Sequence, residues 1–254
     1  MTDLPGGWFQ PDDTGAPLRL FLLHYAGAGA SVYHRWLPLL PQDFAVQCVQ
    51  LPGRQERRAE PAIDELERLV AALHEAFDAE LDDRPFALFG HSLGALLAYR
   101  LTLALQRDPG HRPALLAVSG WSPRRFAMPA AAYATMNDEE LIERVRRLDF
   151  LPAEVCSDAE VLALALPAIR ADLSAAGGYR DDGARVQCPV VAYCGTADPL
   201  LAPKAMAQWC SRTENYLGCR VLRGAHMFLH DHELAIATDL AGLLRRHAHA
   251  APES

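Results

Sequence analysis

Gly90-His91-Ser92-Leu93-Gly94 sets a serine between two glycines. It follows the apolar run at residues 86–89 and opens an apolar helix-period stretch at residues 93–105, so Ser92 falls on a strand-to-helix turn. A serine there presents its hydroxyl as a nucleophile. Glycines two residues to either side allow close backbone approach, and the start of the helix points free N–H groups at a developing oxyanion. Such a nucleophile needs a base and an acid to orient that base, in the chain order Ser, acid, His. Asp198, in Gly195-Thr196-Ala197-Asp198-Pro199, and His226, in Arg223-Gly224-Ala225-His226, stand in that order. Each comes just after a strand-like run, at the edge where doubly wound sheets build their sites. An oxyanion hole needs two N–H donors, and Leu93 supplies the first. The glycine-rich loop Tyr25-Ala26-Gly27-Ala28-Gly29 supplies the second, from Ala26.

Each of these residues has a plainer reading. Ser92 could be an incidental serine in a glycine-rich turn, and Asp198 a turn aspartate before Pro199. The loop at residues 25–29 could be a flexible turn without a chemical role. His230 and His232 compete with His226 for the part of base. The same histidines with Asp231 suggest a metal site. No H-E-x-x-H is present, however, and a metal-bound hydroxide would make the serine redundant, so neither metal nor cofactor is expected.

The elements that must position these residues alternate along the chain. Short apolar runs at residues 18–24, 45–51, 86–89, 114–119, 190–194 and 219–222 have the length and composition of strands covered on both faces. Between them lie helix-period segments. Ile63, Leu66, Leu69, Val70, Leu73 and Phe77 share one helical face, and residues 234–244 form another helix that ends in Arg245 and Arg246. This alternation predicts an α/β fold with a mostly parallel, doubly wound sheet. Residues 122–187 interrupt it with helical patterns and no strand. Asn137 with Glu140 marks a helix start, followed by Leu141, Ile142, Val145 and Leu148. Further helices are expected over residues 159–166 and after Pro167. The chain thus divides into a core at residues 1–121 and 188–254, and a helical lid at residues 122–187 inserted in it.

Composition narrows the setting. The 254 residues suffice for one domain with a full core, and a net charge of −8 disfavours a nucleic-acid partner. The first residues do not form a signal peptide, and no apolar run approaches the roughly 20 residues of a membrane-spanning helix. A cytoplasmic protein is expected. The six cysteines show no C-x-x-C pair, and Cys48, Cys188 and Cys194 read as small buried hydrophobes.

Further motifs carry a narrower resemblance. His24-Tyr25-Ala26-Gly27-Ala28-Gly29-Ala30-Ser31, followed by Tyr33 and Trp36, resembles the PHAGG-type loop of type II thioesterases. Leu51-Pro52-Gly53-Arg54 with Arg57 is similar to that family's P-G-R-x-x-R element. Leu166-Pro167-Ala168-Ile169-Arg170-Ala171-Asp172 resembles its L-P-x-x-R-A-D lid motif, and Gly224-Ala225-His226-Met227-Phe228-Leu229 its G-x-H-F-F-L ending. Tyr25 and Ala28 depart from the usual His and Gly. The resemblance implies an α/β-hydrolase fold with Ser92, Asp198 and His226 as triad. It also implies hydrolysis of acyl groups from the phosphopantetheine arm of acyl or peptidyl carrier proteins, removing stalled chains in polyketide and nonribosomal peptide synthesis. A start at Met1 without a carrier-protein segment favours a separate protein over a synthase's terminal domain. The alternative is a general carboxylesterase or lipase of the same fold. Carrier proteins are acidic by the same implication, so docking to an acidic chain calls for a local basic patch. Arg124 with Arg125 is the preferred candidate. Arg54, Arg57 and Arg58, and Arg144, Arg146 and Arg147, are the other arginine clusters, each readable as surface cations paired with neighbouring acids.

Overall fold

The computed structural model describes residues 7–11, 13–108, 110–123, 129–148 and 158–248. Among the described residues seven strands form one sheet: β1 (Phe9–Gln10), β2 (Leu18–Leu23), β3 (Phe44–Val49), β4 (Phe86–His91), β5 (Leu115–Ser119), β6 (Val190–Gly195) and β7 (Tyr216–Leu222). Their order is β1-β3-β2-β4-β5-β6-β7. Only β1 runs antiparallel to its neighbour, and every other pair is parallel. The six apolar runs all became strands. The two-residue β1 was missed because its pattern is too short to show a period.

Period-two alternation sorts the strands' side chains into two apolar layers. Phe21, Leu23, Leu88, Leu116, Val118 and Ala192 face one layer, with helices α1 (Leu66–Glu80) and α2 (Leu93–Leu105). Leu20, Leu22, Phe89, Ala117 and Tyr193 face the other. There they meet the 3-10 segment Ala30–Leu39 and the C-terminal helix Glu233–Ala248. The predicted stripe on α1 is the buried one: Leu66, Leu69, Val70, Leu73 and Phe77 lie inside, each worth about 1.5–3 kcal/mol of burial.

Between β5 and β6 the described residues hold three helices and no strand: α3 (Ala130–Thr135), α4 (Asp138–Leu148) and α5 (Ala159–Gly178). At the start of α4 the Asn137 N–H donates to Glu140 (3.0 Å) and the Glu140 N–H to the Asn137 side chain (2.9 Å), the reciprocal cap its sequence predicts. The C-terminal helix, α6, is Glu233–Ala248. Leu162, Leu166, Ile169 and Leu173 of α5 join the same buried layer as α1 and α2.

Two expectations fail on α5. Pro167 does not divide it, and the helix runs 20 residues through that position. Proline removes the hydrogen bond to the carbonyl four residues back. Here that carbonyl belongs to Ala163, and both residues are exposed, so water can satisfy it. The unbroken helix also contradicts the absence of a long apolar run: Glu160–Gly178 is long and apolar enough to cross a membrane by length and composition. Some 56% of that stretch is buried inside this protein, as suits a core helix. Cys48, Cys188 and Cys194 are buried, as read from the sequence.

Candidate active site

Ser92 joins β4 to α2 with φ 54° and ψ −113°, a left-handed conformation that costs a non-glycine residue about 1–3 kcal/mol. The turn tolerates it because its surroundings allow nothing else. A Cβ on Gly90 would overlap the Gly94 carbonyl, and a Cβ on Gly94 would overlap the Leu23 carbonyl of β2. The Ser92 N–H donates to the Ser119 carbonyl (2.8 Å), and its own carbonyl accepts from Ala95 and Leu96. Its hydroxyl makes no capping bond to α2 and stands free of the helix it precedes. Leu93 is the first residue of α2, where a helix leaves its N–H groups without intrahelical acceptors.

Asp198 and His226 leave the C-terminal ends of β6 and β7, and their loops are stitched together by main chain. Thr196 N–H donates to Leu222 (2.8 Å) and Ala197 N–H to Gly224 (2.9 Å). A Cβ on Gly195 would overlap the Ala225 carbonyl. His226 Nδ1 lies 2.7 Å from Asp198 Oδ2, with both side chains almost fully buried. A carboxylate only accepts, so Nδ1 carries a proton, and in the neutral imidazole Nε2 then presents the lone pair. Asp198 is oriented in turn by the Leu200 N–H on Oδ1 (2.8 Å). His226 Nε2 is buried and has no hydrogen-bond partner among the described residues. An orphaned imidazole nitrogen of this kind is costly unless a reaction uses it.

The end of β5 brings the two halves together. Ser119 holds Ser92, and the next residue, Gly120 (φ 63°), lies against His226. A Cβ there would sit 2.6 Å from His91 Cε1 and 3.2 Å from His226 Cε1. Gly120 and His91 shape the site and were missed in the sequence, since Gly120 lies in no motif and His91 occupies the variable position of the G-x-S-x-G. His230 and His232 are directed elsewhere. His230 Nε2 meets the Tyr25 hydroxyl (3.2 Å), and His232 Nε2 donates to the Arg223 carbonyl (2.8 Å). Tyr25 thus fills its unusual place by packing between His91 and His230. Its burial raises the phenol to about 12.

The loop after β2 is a tight turn. Ala28 N–H donates to the Tyr25 carbonyl (3.2 Å), and Gly27 has φ 76°, as the third residue of a type II turn requires. Arg54 and Arg57, read as possible surface cations, are buried. Arg54 pairs with Asp172, and Arg57 pairs with Glu60 and stacks on Trp8. Arg124 and Arg125 lie outside the described residues, as does the side chain of Arg147. A cavity of about 520 Å³ beside α5, lined by Leu166, Pro167 and Arg170, includes none of Ser92, Asp198 and His226. Among the described residues no group of three or more His, Cys, Asp or Glu is placed to hold a metal ion.

A parallel sheet with a strained serine at one strand-to-helix turn, and an Asp–His pair beyond two later strands, is an α/β-hydrolase. The model of the thioesterase domain family matches residues 18–244, and the chain belongs to that family, among its type II members. It is 34% identical to thioesterase PikA5 of Streptomyces venezuelae, over 95% of this chain and 88% of that protein. It is 32% identical to the gramicidin S biosynthesis protein GrsT of Aneurinibacillus migulanus, over 86% of each. Among solved structures, the type II thioesterase BorB from the borrelidin biosynthetic cluster superposes with a TM-score of 0.84 at 33% identity. That match spans 93% of this chain and 97% of BorB.

Proposed function

We propose that the protein is a stand-alone editing thioesterase, a hydrolase that frees carrier proteins of stalled or aberrant acyl chains in polyketide or nonribosomal peptide synthesis. The observation that carries the mechanism is the buried Asp198–His226 bond, which leaves Nε2 unpartnered; the end of β5 links it to the strained, uncapped Ser92, with Ser119 holding Ser92 and Gly120 lying against His226. His226 Nε2 takes the Ser92 proton as Oγ attacks the thioester carbonyl, and Asp198 holds the imidazole in the tautomer that permits this. The N–H groups of Ala26 and Leu93 receive the oxyanion. As the tetrahedral intermediate collapses, the C–S bond breaks and His226 returns the proton to the phosphopantetheine thiolate. With a thiol pKa of about 8.5, that leaving group needs little acid assistance. Water, deprotonated by the same nitrogen, then attacks the acyl-serine, and the C–O bond to Ser92 breaks as His226 returns that proton to Oγ, giving the free acid and the resting enzyme. No cofactor enters any step.

The helices α3, α4 and α5 act as the lid over the acyl chain, and the partners are acyl or peptidyl carrier proteins of the cytoplasm. The family's association with antibiotic biosynthesis supports this reading over a general carboxylesterase. The test combines one variant and three substrates. Ser92→Ala is expected to fold normally and to lose about 10⁴-fold or more in kcat. The wild type is expected to show a higher kcat/KM for acyl-carrier protein than for acyl-CoA or a simple ester. A Ser92→Ala protein with near-native turnover would sink the mechanism, and a preference for simple esters would sink the substrate assignment.

A further inference from the structure

The loop that carries Ala26 is gripped by side chains from three elements. On one side of Ala26, the Tyr25 carbonyl accepts from Ala28 N–H and from His24 Nδ1 (2.9 Å). A peptide unit is planar and trans, so fixing that carbonyl also fixes the Ala26 N–H, which points the opposite way. On the other side, the Gly27 N–H donates to Asp172 Oδ2 (2.8 Å). Asp172 is fully buried on α5. Arg54, from the loop after β3, clamps it with two bonds, Nη1 to Oδ2 (2.6 Å) and Nη2 to Oδ1 (3.0 Å). Arg54 also donates to the Pro52 and Ala28 carbonyls. Among the described residues, no group accepts from the Ala26 N–H itself.

An ion pair serving only to staple α5 to the sheet would need no donor from this loop. Asp172 instead spends on the Gly27 N–H the same oxygen that takes Arg54 Nη1. Gly27 is the residue best able to rotate away, because its left-handed φ costs it nothing in either direction. With both neighbouring peptide planes pinned, φ and ψ of Ala26 are fixed and its N–H needs no reorganisation when charge develops. That preorganisation is what makes such donors effective.

We propose that Asp172 and Arg54 are positioning residues for the reaction. Through the Gly27 N–H they hold the Ala26 donor in place and make a formed oxyanion hole depend on α5 being seated. This rests on the assignment of Ala26 as a donor given above. It extends that assignment to a coupling between lid helix and catalysis: an enzyme whose α5 is displaced loses the donor's support.

The experiment uses a small acyl-N-acetylcysteamine thioester, so that carrier docking plays no part. Asp172→Ala is expected to lower kcat about 100-fold while KM stays within about threefold. Affinity for an alkyl trifluoromethyl ketone, which becomes a tetrahedral oxyanion on Ser92, should fall by the same factor. Affinity for the matching thioether, which has no carbonyl, should not change. Asp172→Asn keeps an oxygen for Gly27 and is expected to recover kcat to within about tenfold of wild type. If the alanine variant fails to fold, Asp172→Asn and Arg54→Lys carry the test through the same ratio of ketone to thioether affinity. A folded variant with wild-type kcat, or equal losses for ketone and thioether, overturns the positioning role. Ser92→Ala run alongside separates the two ideas. If it stays active, the site assignment itself is wrong. If it is dead while Asp172→Ala is not, only the positioning role falls.

Discussion

The turn that carries Ser92 is held by main chain, whereas the loop at residues 25–29 is held by side chains from elsewhere in the sequence. At Gly90, Gly94 and Gly195 the backbones pass so close that no Cβ fits, and the loops bearing Asp198 and His226 exchange peptide hydrogen bonds. The residues 25–29 loop leans on His24, on Asp172 and on Arg54, the last two 118 positions apart. Main-chain packing has one solution and resists deformation. Side-chain anchors on a separate helix can be released when that helix moves. The Ser92 turn is therefore fixed by its own backbone, whereas the residues 25–29 loop, which we propose supplies an oxyanion donor, depends on α5.

The largest effect is expected where a polar side chain acts within the rigid half. Asp198→Asn leaves the stitched loops intact and can still accept from Leu200, but it no longer fixes the His226 tautomer. Turnover should fall by up to about 10⁴-fold with little change in Tm. The kcat of the variant and its thermal melt, measured on one preparation, check both halves of that statement. A large drop in Tm would mean that the aspartate helps to build the loops, and the rigid half would then depend on side chains as well.

That contrast also decides what could be read in advance. Gly90, Ser92 and Gly94 announce themselves because a strand-to-helix turn with no room for a Cβ on either side of the serine leaves a fixed five-residue spacing, although the Leu23 carbonyl that crowds Gly94 comes from β2. Asp198 and His226 follow from chain order and from the strands before them. The strands themselves were legible because burial on both faces leaves a short apolar run between turn residues. The positioning bonds are different. Asp172 reads as one position of a lid motif, and Arg54 and Arg57 as members of another motif or as surface cations, because nothing in a one-dimensional pattern says that a charge will be buried against a partner 118 residues away. Pro167 misled for a related reason: the rule that proline ends helices assumes that the freed carbonyl is costly, and exposure of Ala163 removes that cost.

A smaller effect, on stability, tests the main-chain half directly. Gly94→Ala should destabilise the fold by more than about 3 kcal/mol, because α2 and β2 must separate to admit one methyl group. Urea unfolding of the variant measures this. By contrast Gly15→Ala, with nothing within 4 Å of its added methyl, meets only the strain of its φ of 74°. A Gly94→Ala protein as stable as Gly15→Ala would show that the turn yields, and the distinction between the two halves would go with it.

The smallest effect belongs to the side-chain half and is read through pH. His24 is wholly buried between β2 and the residues 25–29 loop. Burial first, and then the neighbouring Arg54, lower its pKa to about 4 from an ordinary 6.5, with Asp172 opposing. Above pH 6.5 the imidazole is neutral whether the chain is folded or not, and it adds no pH dependence. Between pH 6.5 and 4 the unfolded chain takes up a proton that the folded protein refuses, so stability falls as the solution is acidified. Below pH 4 both states are charged and the slope from this group ends. The total is roughly 2–3 kcal/mol across the window, before any contribution from His247, which burial also lowers. His24→Asn keeps a donor for the Tyr25 carbonyl and cannot titrate. Its unfolding free energy should therefore lose less than the wild type's between pH 7 and 4.5, whatever its stability at neutral pH. Parallel curves for the two proteins would mean that His24 accepts its proton within the fold. The Tyr25–Ala26 peptide would then be less tightly enclosed than the bonds around it imply.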